Sequence, residues 1–101
     1  QLESFAKKVV NSAESVYYSG DPSKLTITAY LPQGVEEIIL QDQNLVFSFT
    51  IGSGTSVIAY PSDVPIAEIT GIGIGGGLSI NEGLKRFEIS ALPGGVRILE
   101  G

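Results

Sequence analysis

The stretch TGIGIGGG, residues 70–77, decides between two fold classes. Gly71, Gly73 and Gly76 stand in the spacing G-x-G-x-x-G, which in a dinucleotide-binding unit cradles a pyrophosphate. Such a unit demands a strand before the run and an amphipathic helix straight after, so that the helix N-terminus meets the phosphate. Ile66–Thr70 suits the strand. The residues after the run are LSINEGLKRFEIS, interrupted by Gly83 and alternating like a strand by Phe87. A helix of useful length has no room there. The run is therefore predicted to be a bulged or recognition loop, binding no nucleotide, with Ile72 and Ile74 tucked inward.

Without that motif the chain reads as a β-domain led by a helix. Leu2, Phe5, Ala6, Val9, Val10, Ala13, Val16 and Tyr17 fall on one stripe of a 3.6-residue period. Lys7, Lys8, Asn11 and Glu14 occupy the other face, and Glu3 precedes Lys7 by four residues. The helix ends at Ser19-Gly20 ahead of Asp21-Pro22, a glycine cap followed by a breaker. No capping Ser, Thr, Asp or Asn precedes the stripe. Residues 1–19 are expected to be the back half of a longer helix, and residues 20–101 the β-domain.

Beyond Pro22 the period falls to two. Leu25, Ile27, Ala29 and Leu31 make one apolar face, and Leu45, Phe47, Phe49 and Ile51 another. Further strands are predicted at Val35–Gln41, Thr55–Tyr60, Ile66–Thr70, Leu84–Leu92 and Val96–Leu99. Their connections carry turn residues: Asp42-Gln43-Asn44, Gly52-Ser53-Gly54 and Pro93-Gly94-Gly95. About seven strands at roughly ten-residue spacing predict an antiparallel β-sandwich, immunoglobulin-like in layout, in a single chain unit without repeats. Tyr60-Pro61 is a candidate cis bond.

Composition removes whole classes of chemistry. The chain has 101 residues, enough for one modest core, and no His, Cys, Met or Trp. Ser-His and Cys-His nucleophile systems are gone with them, as is nearly every transition-metal site. Six basic residues against eleven acidic ones leave a net charge of −5, which disfavours nucleic acid and anionic membrane surfaces. No apolar run is long enough to span a bilayer. Asn11, Asn44 and Asn81 form no glycosylation sequon. The carboxylates Glu36, Glu37, Asp42, Asp63, Glu68 and Glu82 offer material for an acid/base pair or a weak calcium site, but no D-x-D-x-D-G loop arranges them. Solvated faces and turns account for them more simply. Tyr17, Tyr18, Tyr30 and Tyr60 are candidates for a sugar platform and are equally placed for packing. No catalytic, cofactor-binding or metal-ligating residues are assigned.

The segment AKKVVNSAESVYYSGDPSKLTITAYLPQGVEEI resembles archaeal membrane proteins made with a class III, prepilin-type signal peptide. In those an apolar helix leads into a polar stretch, a Y-x-x-G turn and a strand ending in P-x-G-V. Tyr17, Gly20, Leu31, Pro32, Gly34 and Val35 stand at the corresponding places. NEGLKRFEIS followed by GGVRI is similar to the closing hairpin of immunoglobulin-like surface domains.

The resemblance implies a non-enzymatic, type IV pilin-like ectodomain outside the cytoplasmic membrane. Its relatives are filament subunits, accessory pilins or archaellum stator components. It implies a membrane helix upstream of Gln1 and partners among other subunits or the cell envelope. Leu2, Phe5, Val9, Val10 and Val16 are the expected interface, either with the sheets or with a partner. The rival expectation is a soluble glycan- or calcium-binding module of a larger surface protein.

Overall fold

The computed structural model describes residues 2–73 and 76–101. Helix α1, Leu2–Ser19, buries Phe5, Ala6, Val9, Val10, Ala13 and Val16, the stripe that the 3.6-residue period marked. It stops where Gly20 turns left-handed, at φ 83°, and donates its N–H to the Tyr17 carbonyl at 3.1 Å. The cis bond lies at Asp21-Pro22; Tyr60-Pro61, where one was expected, is trans.

Among the described residues seven strands come after the helix: β1 Lys24–Leu31, β2 Val35–Gln41, β3 Asn44–Ile51, β4 Gly54–Pro61, β5 Ile66–Thr70, β6 Gly83–Leu92 and β7 Gly95–Glu100. They form two sheets, one ordered β1-β6-β7-β5 and the other β2-β3-β4. The chain is thus mainly β, a two-sheet sandwich-like fold behind one helix. The smaller sheet is a plain meander. Its first turn places Asp42 and Gln43 at φ 51° and 66°, and its second uses Gly52 at 60°. Positive φ at both central residues matches the right-handed twist of a tight hairpin.

The expectation of an all-antiparallel sandwich is corrected at one edge. β5 runs parallel to β7, from Ile66 opposite Val96 to Thr70 opposite Leu99. β6 already pairs antiparallel with the other side of β7, so the connection from β5 to β6 must cross the end of β7. Close approach starts the parallel pair. Val96 donates to the Pro65 carbonyl at 3.0 Å, and a Cβ on Gly95 would lie 2.5 Å from that oxygen.

One core serves both sheets and the helix. Phe5 meets Phe47 of β3 and Phe87 of β6 edge-on, and Phe47 meets Tyr60 of β4 the same way. Around them lie Val9, Leu31, Leu45, Val64, Ile89, Val96 and Ile98, all nearly or fully buried. Burying one such side chain is worth about 1.5–3 kcal/mol. The molecule is 45 Å long but only 24 Å across, and some apolar positions overrun its core. Leu25 and Ile51, placed by sequence on inward faces, are exposed.

Candidate interaction surface

The five residues expected at an interface are largely spent inside the molecule. Phe5, Val9, Val10 and Val16 are buried within the chain, and Leu2 is partly buried against the same core. The seam they make is helix to sheet. On the outer face of α1, Lys7 bridges Glu3 at 2.9 Å, which holds the Glu3 carboxyl below its ordinary range and the Lys7 ammonium above it. Both groups are well exposed, so solvent screens the pair heavily.

The glycine stretch closes on itself and has no helix behind it. Gly71 donates to the Gly76 carbonyl at 2.7 Å, and Gly73 to the Gly77 carbonyl at 2.8 Å. A Cβ on Gly73 would sit 2.5 Å from the Leu78 carbonyl, and one on Gly71 would sit 2.7 Å from both the Gly77 carbonyl and Glu100 Oε1. Glycine is needed here because two stretches of backbone touch, and the Gly71, Gly73 and Gly76 amides are engaged with backbone carbonyls of the same stretch. Ile72, expected to tuck inward, is 76% exposed, a consequence of that tight fold-back. Ile74 lies outside the described residues.

Sequence reasoning missed the residue that holds this crossing in place. Glu100, at the end of β7, is buried and accepts the Ser79 N–H at 2.6 Å and the Ser79 hydroxyl. Lys85 donates to Ser79 Oγ at 2.9 Å. An acidic residue near a chain end gives no sequence signal of burial. The register did hold a clue, since Glu100 lies opposite Phe87, a core position.

The other carboxylates are dispersed. Glu36 accepts from the Thr50 hydroxyl, Glu68 from Thr70 at 3.0 Å, and Glu82 from Tyr30 at 2.7 Å. Glu14 accepts the Asp63 N–H at 3.2 Å, and Asp42 sits in its turn. Among the described residues no three acidic side chains converge as a cation site would need.

The tyrosines are dispersed too. Tyr17 and Tyr18 pack edge-on at the end of α1, Tyr60 packs on Phe47, and Tyr30 leans on Glu82. The Glu82 carboxylate that accepts its hydroxyl raises the pKa of Tyr30 above the ordinary value.

Two surface features of the described residues bear on binding. A groove of about 410 Å³ runs between α1 and the end of β4, lined by Lys7, Asn11, Glu14, Tyr60 and Asp63 among others. The second is the free edge of β4, with Val57 65% and Ile58 38% exposed and Ile51 exposed beside it. Among the described residues no helix is long and apolar enough to cross a membrane. Comparisons with protein-family models, curated proteins and solved structures find no match to this chain.

Proposed function

We propose that this chain is the extracellular domain of a membrane-anchored archaeal pilin-like or archaellum-associated protein. It works without catalysis, in the assembly or anchoring of a surface filament through protein–protein contacts. The observation that carries the reading is the docking of α1. Its stripe sinks into the core, and Phe5 touches both sheets at once. A helix held this way transmits the position of whatever precedes it rigidly to the displayed sheets, as the pilin-like arrangement requires. The split into four strands and three supports an immunoglobulin-like description, although the β2-β3-β4 meander departs from Greek-key connection. The scattering of the acidic side chains supports the non-enzymatic reading.

The test is made on the complete gene product. The codons ahead of Gln1 should encode an apolar run of about twenty residues. The full-length protein should stay with membranes through alkaline carbonate washing, with its β-domain open to protease outside the cell. A start codon directly before Gln1, or a cytosolic product, overturns the proposal.

The groove beside Tyr60 favours a second reading, a glycan-binding module. Asn11, Glu14 and Asp63 supply hydrogen-bonding groups beside an aromatic side chain. A glycan array should then show saturable binding that Tyr60→Ala and Asn11→Ala both abolish. An array without signal removes this reading.

A further inference from the structure

Among the described residues four strands lie at sheet edges, and three carry features that discourage pairing. β2 carries Glu36 and Glu37 and a register shift between Val35 and Glu37. β5 has five residues, includes Glu68, and shifts register between Ile66 and Glu68. β1 opens with Lys24 and presents Thr26 and Thr28 on its solvent face. β4 shares only an exposed threonine, Thr55, and ends at Pro61. It runs eight residues in unbroken register with β3, carries no charge, and exposes apolar side chains on both faces. A long, uncharged edge in unbroken register is a template for another strand.

The ladder fixes which groups are free. Ser62 donates to the Gln43 carbonyl at 2.9 Å, one step beyond the pair Asn44–Pro61. Alternation along β4 then turns the main chain of Ser56, Ile58 and Tyr60 toward β3 and that of Thr55, Val57 and Ala59 outward. Among the described residues no turn, loop or cap hydrogen bond engages those three.

We propose that β4 pairs antiparallel with β4 of a second copy of this chain, on a two-fold axis through Val57. The partner is a second copy because β4 can face itself without like charges in contact. Copies with a net charge of −5 repel across most of their surface, and β4 lets them meet without opposing carboxylates. Val57 then lies opposite Val57 of the second copy and Thr55 opposite its Ala59. The two meanders become one continuous sheet, and Val57 and Ile58 gain apolar neighbours. The inference deepens the protein-contact reading above. A monomer overturns it alone, whereas a cytosolic full-length product overturns the anchoring reading alone.

Sedimentation equilibrium of this chain from micromolar to millimolar concentration tests it. The wild type should be a dimer. Val57→Lys and Val57→Glu should each weaken self-association at least about tenfold, by setting like charges opposite each other. At concentrations low enough for the wild type to be monomeric, their unfolding midpoints should match the wild-type value, because the side chain is mostly exposed. Mixing the two variants should restore a dimer, because the axis sets Lys against Glu. Thr28→Lys on β1 should leave the dimer intact. A monomeric wild type, a dimer that survives both Val57 substitutions, a mixture that stays monomeric, or a dimer broken by Thr28→Lys each overturns the proposal. Protection of the Thr55, Val57 and Ala59 amides by cell-envelope extract, with the chain itself monomeric, assigns the edge to another protein and also overturns it.

Discussion

Phe5 of the helix and Phe47 of the three-stranded sheet meet edge to face, with centroids 5.9 Å apart and ring planes at 87°. Phe87 of the four-stranded sheet also meets Phe5 edge-on, at 5.7 Å. One ring therefore joins three elements that the backbone connects only at a distance. Such edge-on pairs add about 0.5–1.5 kcal/mol each beyond the area they bury. Phe5→Ala should lower unfolding free energy by about 3–5 kcal/mol, and Phe5→Leu by less, since leucine refills part of the cavity. Urea denaturation followed by circular dichroism checks both. A Phe5→Ala loss below about 1 kcal/mol would show that α1 is not integral to the core.

The crossing over β7 gives a second prediction. Glu100→Ala leaves the buried Ser79 N–H and hydroxyl without an acceptor and should cost about 1–3 kcal/mol. The loss should be local at first. Hydrogen exchange at Ser79 should quicken far more than at Ile89, which sits in the central strand β6. Equal acceleration at both sites would contradict a pinning role.

Gly73→Ala forces a methyl group to within 2.5 Å of a backbone oxygen and should destabilise by about 1–3 kcal/mol. Gly94→Ala is the control, since nothing lies within 4 Å of the added carbon. Thermal unfolding separates them. A harmless Gly73→Ala would mean that the glycines do not serve close approach.

How much of this was legible in the sequence depends on the range of the interaction. The stripe of α1, its stop at Gly20, and strands such as Phe87–Ala91 follow from local periodicity and turn chemistry, and the structure keeps them. The parallel pairing of β5 does not, because Ile66–Thr70 is short and its partner is fixed only by where the chain crosses. Leu25 and Ile51 alternate correctly yet lie exposed, since periodicity orients a side chain without saying whether anything covers it. Glu100 was illegible for a related reason: its burial depends on Ser79, which the crossing brings from β7's far side. Of the expected interface, the stripe was readable, whereas the bare edge of β4 required knowing which strands end the sheets.

Tyr30 supplies a pH prediction. Its hydroxyl donates to Glu82, so the neutral phenol is favoured and its pKa is raised above 10.0. With a folded value above the unfolded one, the contribution to stability is complete below pH 10 and is lost as pH rises through the folded value. Tyrosinate absorbance should show Tyr30 ionising above the ordinary tyrosine value, and Glu82→Gln should bring it back toward that value. Unchanged ionisation in Glu82→Gln would remove the carboxylate as the cause.

The turn between β2 and β3 sets two effects against each other in adjacent residues. Asp42 and Gln43 both have positive φ, a conformation costing a residue with a Cβ about 1–2 kcal/mol and glycine little. Relief of strain alone would make glycine stabilising at both positions. Gln43, however, has a second role: its Oε1 accepts the Ile66 N–H at 3.1 Å, and its carbonyl accepts the Ser62 N–H. The side-chain bond ties the meander to the start of β5, and without it a part-buried amide at Ile66 has no partner, a loss of about 1–3 kcal/mol. Asp42→Gly should therefore stabilise by about 0.5–1 kcal/mol, whereas Gln43→Gly should be neutral or destabilising despite the same backbone gain. Paired chemical denaturation of the two variants measures the difference. Equal stabilisation by both would show that the tie from Gln43 to β5 contributes nothing.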